Sequence, residues 1–295
     1  MVPPAAHSAQ QILMHLPGIR GNSRVFGGLM FTQAFLASEA AIPGFRVGRI
    51  DHRFLRPGIC TEPLEYEIAW PAKRIATVRV LQAGKLIATS LAQECVEEGA
   101  EASPSTTFPN GVFSLEYYED ARIFCSANES SQREIVEFLK WFFDLGYEVR
   151  LVETPKYLAR NTGEDERGPE QRQRTLGWLR FHPSTSRILK PSHCRAVALL
   201  FSDWAIGKAF GDQYRLNGIP VNPSWISSMH HTAWLHPESV VNPGGWFLSH
   251  IECTIASFGR GRAEVHIFNE ERLPVVSAIQ EVFIQVAPLQ TAAKL

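Results

Sequence analysis

The sequence has almost no net charge, which argues against two large classes of partner. Among 295 residues, 29 lysine and arginine residues offset 30 aspartate and glutamate residues, leaving a formal charge of −1 at pH 7. Nucleic acids and anionic membranes attract proteins through a concentrated positive field, so we expect neither as the main partner. A small phosphorylated ligand needs only a local basic patch and stays open.

Paired cysteines, membrane-length apolar runs and an export signal are also missing. The five cysteines are odd in number, far apart and never in a C-x-x-C pair, which is typical of reduced thiols in an intracellular protein. No apolar run approaches the roughly 20 residues of a membrane-spanning helix. The opening MVPPAAHSAQQ lacks the basic start and apolar stretch of a secretory signal. We therefore expect no membrane span.

Motifs for metal ions and nucleotide cofactors are absent as well. His230 and His231 are adjacent, so on a strand they point to opposite faces and cannot both bind one ion. The sequence has no H-E-x-x-H, no P-loop, no G-x-S-x-G and no dinucleotide-binding glycine motif. We expect no metal and no cofactor.

The sequence does contain an internal repeat. The segment 54–57 (FLRP) lines up with 234–237 (WLHP), and 90–94 (SLAQE) lines up with 277–281 (SAIQE). The matches occur in the same order, in a chain about twice the length of a typical domain. Together they indicate a duplicated domain.

The sequence pattern of each half predicts one buried helix followed by an antiparallel meander of strands. Residues 28–42 and 195–210 are rich in alanine and leucine and contain no proline, which favours helix. Segments with two-residue alternation and β-branched residues follow each helix. A sheet wrapped around one helix is the hot-dog arrangement. The predicted fold is therefore α+β, a double hot-dog of two repeats, each an antiparallel sheet around a long helix.

The composition also suggests boundaries. We expect a first hot-dog domain at 1–100, a connector with an amphipathic helix at 101–145, a second hot-dog domain with the active site at 146–288, and a tail at 289–295. The tail ends in Ala293-Lys294-Leu295, a tripeptide close to the peroxisomal address S-K-L. We expect import into the peroxisome through its receptor, the alternative being a chance match of three residues.

A set of short motifs occurs in a fixed order along the chain. The motifs are Arg24–Gly28, Gln33-Ala34, Phe54–Gly58, Ser202-Asp203, Trp234–His236, Ala256-Ser257, Arg260-Gly261 and Gln280-Glu281. In order and spacing they resemble those of the acyl-CoA thioesterase II family, which includes bacterial enzymes and peroxisomal relatives. The resemblance covers roughly residues 20–96 and 176–286 and implies a double hot-dog fold acting on acyl-CoA.

The resemblance implies three catalytic residues. Members of the family hydrolyse acyl-CoA without a covalent intermediate, using an Asp, a Ser or Thr, and a Gln to hold and activate water. The matching positions are Asp203, Ser228 and Gln280. A carboxylate can take a proton from water while a hydroxyl and an amide orient it. Taken singly, each residue also fits a structural role, as a buried acid, a strand serine and a sheet glutamine.

Other residues are expected to contact the substrate. Backbone N–H groups where the first helix begins can receive a developing oxyanion. Residues such as Phe54, Trp234 and Phe258 are expected to line an apolar tunnel for the acyl chain. Arg56, Arg260 or Arg262 are expected to meet CoA phosphates, the alternative being solvated surface residues. The residues expected to bind substrate are Gly27, Gly28, His230, His231, Trp234 and Arg260.

The chain departs from the family pattern just after Ser228. Where the family usually has Asp-His-Ser, this chain has His230-His231-Thr232, so His230 replaces an acid and is expected to change the charge around the attacking water. This leaves three hypotheses. They are a peroxisomal acyl-CoA thioesterase, a pathway-specific enzyme that shortens, dehydrates, cyclises or offloads an unusual acyl thioester, and a non-catalytic acyl-CoA binding protein. A homo-oligomer is compatible with each.

Overall fold

The structure is a computed structural model, and it describes most of the chain. The described residues are 7–8, 24–95, 107–112, 114–128, 133–144, 146–152, 174–186, 189–190, 193–216, 223–236, 242, 244–257 and 259–286. The C-terminal tripeptide and Phe258 lie outside them, so the predictions made for these residues stay predictions. None of the helices in the described ranges has the length and apolar character needed to cross a bilayer.

The described residues include eleven strands and six α-helices. In chain order they are β1 (His7–Ser8), α1 (Gly27–Ala41), β2 (Val47–Phe54), β3 (Glu65–Ala72), β4 (Ile75–Gln82), β5 (Lys85–Glu94), α2 (Ala121–Asn128), α3 (Arg133–Asp144), β6 (Tyr147–Leu151), β7 (Arg174–Phe181), α4 (Pro183–Ser186), α5 (Cys194–Phe201), α6 (Ile206–Leu216), β8 (Pro223–Leu235), β9 (Phe247–Ser257), β10 (Arg260–Phe268) and β11 (Pro274–Val286).

The strands form one sheet in which the predicted repeat is visible. Its order is β1-β3-β4-β5-β2-β8-β11-β10-β9-β7-β6. The first half runs β3-β4-β5-β2 and the second runs β9-β10-β11-β8, so the same chain order recurs on either side of the β2–β8 seam. Along that seam the pairing runs from Arg49 with Trp234 to Arg53 with His230. The α+β double hot-dog fold is confirmed, while the exact domain boundaries stay predictions.

Helix α1 lies in the core because its side chains are apolar on nearly every side. Phe31, Ala34 and Phe35 are completely buried, and α1 packs against strands of the first half and against α5 of the second. Each large apolar side chain buried in this way stabilises the fold by roughly 1.5–3 kcal/mol. Arg195 of α5 also binds Glu39 of α1 at 2.7 Å, which ties the two halves together.

The helix predicted over 195–210 is interrupted, and this prediction was wrong at its centre. Helix α5 ends at Phe201, α6 begins at Ile206, and residues 202–205 form turns. Ser202 explains part of the break, because its hydroxyl donates to the Leu199 carbonyl at 2.7 Å, an alternative to regular helix bonding. The interruption matters because Asp203 lies within it.

Candidate active site

A β-bulge in β8 determines which way Ser228 faces. In the pairing of β8 with β11, His231 lies opposite Gln280 and His230 opposite Glu281, but Ser228 lies opposite Val282, so Met229 is an extra residue. Three positions apart on a regular strand, Ser228 and His231 would face opposite sides of the sheet. The extra residue moves Ser228 onto the same inner face as Gln280 and His231.

On this inner face, Gln280 joins two of the predicted catalytic residues. Its Nε2 lies 2.6 Å from Asp203 Oδ1 and 2.8 Å from Ser228 Oγ. Gln280 is completely buried and Asp203 is only 6% exposed. The Gln280 Oε1 is buried too and has no hydrogen-bond partner within the described ranges. The structure thus brings Asp203, Ser228 and Gln280 into one hydrogen-bonded cluster.

The Asp203 carboxylate also meets the first turn of α1. Phe26, which precedes α1, provides no side-chain cap. The Asp203 carboxylate accepts a hydrogen bond from the Gly28 N–H instead. A Cβ at Gly28 would stand 2.8 Å from the Asp203 Cβ, and one at Gly27 would stand 3.2 Å from its Oδ2. Glycine at these positions therefore permits the close approach, and the partial positive charge of the helix N-terminus favours the carboxylate.

This contact changes the role expected for Gly28. Its N–H was predicted to receive an oxyanion, whereas in the structure it donates to Asp203. The use of Gly27 for that purpose stays a prediction.

Burial sets the acidity of Asp203. Loss of water raises the pKa of its carboxyl to about 6, against the opposing effect of the hydrogen bonds from Gln280 and Gly28. A carboxylate with a pKa just below neutrality is ionised at pH 7 and still basic enough to accept a proton.

His231 lies inside the protein, behind the turn that carries Asp203. The residue is completely buried, its ring stacks on Phe31 at 4.3 Å between centroids, and its Nε2 lies 3.2 Å from Ser202 Oγ. Burial, with smaller contributions from His52 and His230, lowers the pKa of the imidazole to about 3. A substrate contact for this buried ring is therefore not supported.

His230 and Trp234 lie on the opposite, outer face of the sheet. His230 Nε2 is 3.3 Å from Thr232 Oγ1 and 3.6 Å from Asp51 Oδ1, and the Trp234 ring stacks under the Arg49 guanidinium at 5.3 Å. The structure does not bring them to the Asp203 cluster. The expectation that His230 alters the charge around the attacking water is corrected, because its side chain faces Asp51.

Arg260 and Phe54 lie close to the cluster. Arg260 is exposed at the start of β10 and donates to the Met229 sulfur at 2.6 Å, so it contacts the bulged residue next to Ser228. A Cβ on Gly27 would lie 3.5 Å from the Phe54 ring. Arg262 instead lies 3.5 Å from Glu264.

Sequence reasoning missed Ser202 and Phe31 as neighbours of the site. The one available signal was the position of Ser202, directly before an aspartate in an apolar segment. Across the described ranges, no group of three or more metal-binding side chains comes together.

Comparison with known proteins decides the family. The model for the acyl-CoA thioesterase C-terminal domain matches residues 130–284, more than half of the chain. The chain belongs to the acyl-CoA thioesterase family. The resemblance to acyl-CoA thioesterase II is thereby confirmed, although a comparison with curated proteins found no match.

Solved structures extend the likeness in fold over nearly the whole chain of this thioesterase-family protein. A TesB protein of Mycobacterium avium subsp. paratuberculosis has 17% identity and a TM-score of 0.66, with 97% of this chain and 95% of that chain covered. Acyl-CoA thioesterase II TesB2 from Mycobacterium marinum has 16% identity and a TM-score of 0.61, with 90% and 92% covered. An N-terminal dehydratase from the difficidin assembly line has 9% identity and a TM-score of 0.55, with 95% and 92% covered.

Proposed function

We propose that this protein is an acyl-CoA thioesterase, which hydrolyses an acyl-CoA to a free carboxylic acid and CoA. The observation that carries the proposal is the position of the Gln280 amide, 2.6 Å from the Asp203 carboxylate and 2.8 Å from the Ser228 hydroxyl. These are the residues that the resemblance to the acyl-CoA thioesterase family implies for water activation, and the chain belongs to that family.

In the proposed reaction, Asp203 is the general base. It takes one proton from a water molecule held by Ser228 and Gln280, and the water oxygen attacks the thioester carbon. The carbonyl electron pair moves to its oxygen, and on its return the C–S bond breaks. The CoA thiolate then takes the proton from Asp203, which returns the carboxylate to its starting state. No bond forms between the protein and the acyl group.

Two side chains are proposed to bind the rest of the substrate. The exposed Arg260 guanidinium, beside the bulged Met229, suits a CoA phosphate because arginine binds phosphate through several parallel N–H groups. Phe54, beside Gly27, offers an apolar surface for the acyl chain.

A panel of acyl-CoAs of different chain length and branching tests the proposal. Release of free thiol is expected for at least one substrate, and Asp203→Asn should lower its rate by roughly 10²- to 10⁴-fold, as for removal of a general base. An unchanged rate in Asp203→Asn would remove Asp203 from the mechanism. Saturable binding without any product would instead indicate a non-catalytic binding protein.

A second candidate is a pathway-specific enzyme that alters an unusual acyl thioester without hydrolysing it. The observation that favours it is the fold shared with the difficidin assembly-line dehydratase at a TM-score of 0.55. Mass spectrometry of the products separates the two reactions, because dehydration removes one water and keeps the thioester, whereas hydrolysis frees the thiol.

The peroxisomal location is proposed from the sequence of Ala293-Lys294-Leu295. Import of a fluorescent protein that carries the tail 289–295, and its loss when the three residues are removed, would support it. Equal distribution of the two fusions would reject it.

A further inference from the structure

We propose that His231 is a positioning residue, which holds the turn carrying Asp203 in place through a hydrogen bond to Ser202. The inference rests on the proposed function, because its effect on catalysis is measured through thioester hydrolysis. His231 itself does not touch the reacting atoms.

The direction of two hydrogen bonds defines this contact. Ser202 Oγ lies 2.7 Å from the Leu199 carbonyl oxygen and 3.2 Å from His231 Nε2. A carbonyl only accepts, so the hydroxyl proton points to Leu199 and Ser202 Oγ accepts from the imidazole. His231 must therefore carry its proton on Nε2. The ring acts as a neutral donor toward the turn.

The turn depends on such contacts because its own backbone bonds are long. The Asp203 and Trp204 N–H groups lie 3.4 Å from the carbonyls of Leu200 and Phe201, compared with about 2.9–3.0 Å for a typical bond. The same turn holds a carboxylate that has been taken out of water, which favours movement toward solvent. Side-chain contacts from the sheet oppose that movement.

Two residues that are paired on neighbouring strands, on the same face of the sheet, provide these contacts. His231 and Gln280 are partners in the pairing of β8 with β11. His231 binds Ser202, and Gln280 binds Asp203. One cross-strand pair therefore holds two successive residues of the turn, and the position of Asp203 follows from that of the sheet.

The surroundings of His231 argue against a direct role in binding. Its side chain is completely buried, and Phe31 covers one ring face at 4.3 Å. The remaining alternative is that the ring only fills space in the core. In that case its N–H group would not matter, and variants that change only the hydrogen bond can test this.

Three variants isolate the hydrogen bond. His231→Gln keeps an N–H donor near the position of Nε2, His231→Phe keeps an aromatic ring without the donor, and Ser202→Ala removes the acceptor. The matched control is Ser90→Ala. Ser90 is also buried and lies 2.7 Å from the buried His52, which faces His231 across the β2–β8 seam. The His52–Ser90 pair has no hydrogen bond to residues 202–205 in the described part of the chain.

The expected result is a loss confined to kcat. His231→Phe and Ser202→Ala should lower kcat roughly 10- to 100-fold, the scale for small misplacement of a reacting group. KM should stay within about 2-fold, because the substrate contacts are unchanged. His231→Gln should keep most of the wild-type kcat, and Ser90→Ala should keep all of it. The double variant with both His231→Phe and Ser202→Ala should be no slower than the slower of the two single variants, because both remove the same hydrogen bond. Unchanged kcat in folded His231→Phe, or a raised KM at constant kcat, would overturn the proposal.

Hydrogen–deuterium exchange gives a readout that needs no activity. The amides of residues 202–205 should exchange faster in His231→Phe and Ser202→Ala, and at the wild-type rate in Ser90→Ala. Faster exchange throughout the protein, or an unchanged exchange rate at this turn, would contradict a local role for the His231–Ser202 hydrogen bond. If the wild-type protein releases thiol from no acyl-CoA, the proposed function fails, and exchange at the turn still decides the role of His231.

Discussion

The Asp203 carboxylate of the second half accepts a hydrogen bond from the Gly28 N–H of the first half. The candidate site is thus shared by the two repeats, since one provides the acid and the other provides the helix N-terminus that meets it. At the corresponding end of α5, Arg195 pairs with Glu39. The N-terminal ends of the two equivalent helices therefore differ: that of α1 donates to the Asp203 carboxylate, and that of α5 carries Arg195, which pairs with Glu39.

Gly28→Ala tests the close approach between the halves. A Cβ there would stand 2.8 Å from the Asp203 Cβ. We expect a loss of about 1–3 kcal/mol in the free energy of unfolding, the usual cost of overpacking, together with loss of activity. Urea denaturation measures the first and thiol release the second.

Gly207→Ala in α6 is the matched control. The nearest atom to its new Cβ would be Ile226 Cδ1 at 3.8 Å, an ordinary contact. This variant should be as stable as the wild type or up to about 1 kcal/mol more stable, since alanine favours helix. Equal effects of the two substitutions would refute a specific clash at Gly28.

The stability of the protein should depend on pH through Asp203. The folded-state pKa of its carboxyl is about 6, above the 3.8 of an ordinary aspartate, so the folded protein holds this proton more tightly than the unfolded chain. The cost of the buried charge is absent below about pH 4 and fully present above about pH 7. Relative to the Asp203→Asn variant, the wild type should lose roughly 3 kcal/mol of its free energy of unfolding as the pH rises over that range. Denaturation curves of both proteins at several pH values measure this, and parallel pH profiles would contradict it.

Activity should depend on the same group. We expect kcat/KM to rise with pH through an apparent pKa near 6 and then level off, because only the ionised carboxylate of Asp203 accepts a proton. The buried His231, with its pKa lowered to about 3, should not contribute in this range. A profile that is flat from pH 5 to pH 8 would exclude Asp203 as the base.

Buried histidines should cause a separate loss of stability in acid. Burial lowers the pKa of His52 to about 3, below the usual 6.5, so the unfolded chain takes up protons first as the pH falls. The stability that His52 contributes is full above pH 6.5 and declines toward pH 3. As the pH falls from 6.5 to 4, the free energy of unfolding of the His52→Gln variant should therefore decrease by about 3 kcal/mol less than that of the wild type. Identical acid unfolding of the two proteins would count against this explanation.

Ser228 should be replaceable by threonine and not by alanine. Its hydroxyl lies 2.8 Å from Gln280 Nε2, and threonine keeps that group. We expect Ser228→Thr to keep most of kcat and Ser228→Ala to lower it roughly 10- to 100-fold through misplaced water. Ser227→Ala is the control, because Ser227 pairs with the half-exposed Phe283 on the outer face. An equal loss in Ser227→Ala would show that the inner-face hydroxyl has no special part.

The repeat was predictable from the sequence, and the identity of the clustered residues from the resemblance to the family, but their geometry was predictable only in part. The paired S-x-x-Q-E segments indicate the duplication, and they lie in the equivalent strands β5 and β11 of the two halves. The direction of Ser228 was not predictable, since it depends on one extra residue in β8, and nothing in the sequence marks Met229 as that residue. The outward orientation of His230 follows from the alternation of side chains once His231 is known to face inward.

Contacts between distant segments were the hardest to foresee. The residues around Asp203 favour helix, so local propensity predicted a continuous helix where the structure has a turn. That turn is held by Ser202 and by residues of β8 and β11, which are distant in sequence. The Gly28–Asp203 contact likewise joins two halves whose packing no local pattern encodes.

The most direct test compares thiol release by the wild-type protein and by Asp203→Asn, with the acyl-CoA panel at pH 8. The proposed function predicts release from at least one acyl-CoA by the wild type, and a rate at least about 100-fold lower in a folded Asp203→Asn variant. Equal rates in the two proteins, or no release by the wild type from any acyl-CoA, would contradict it.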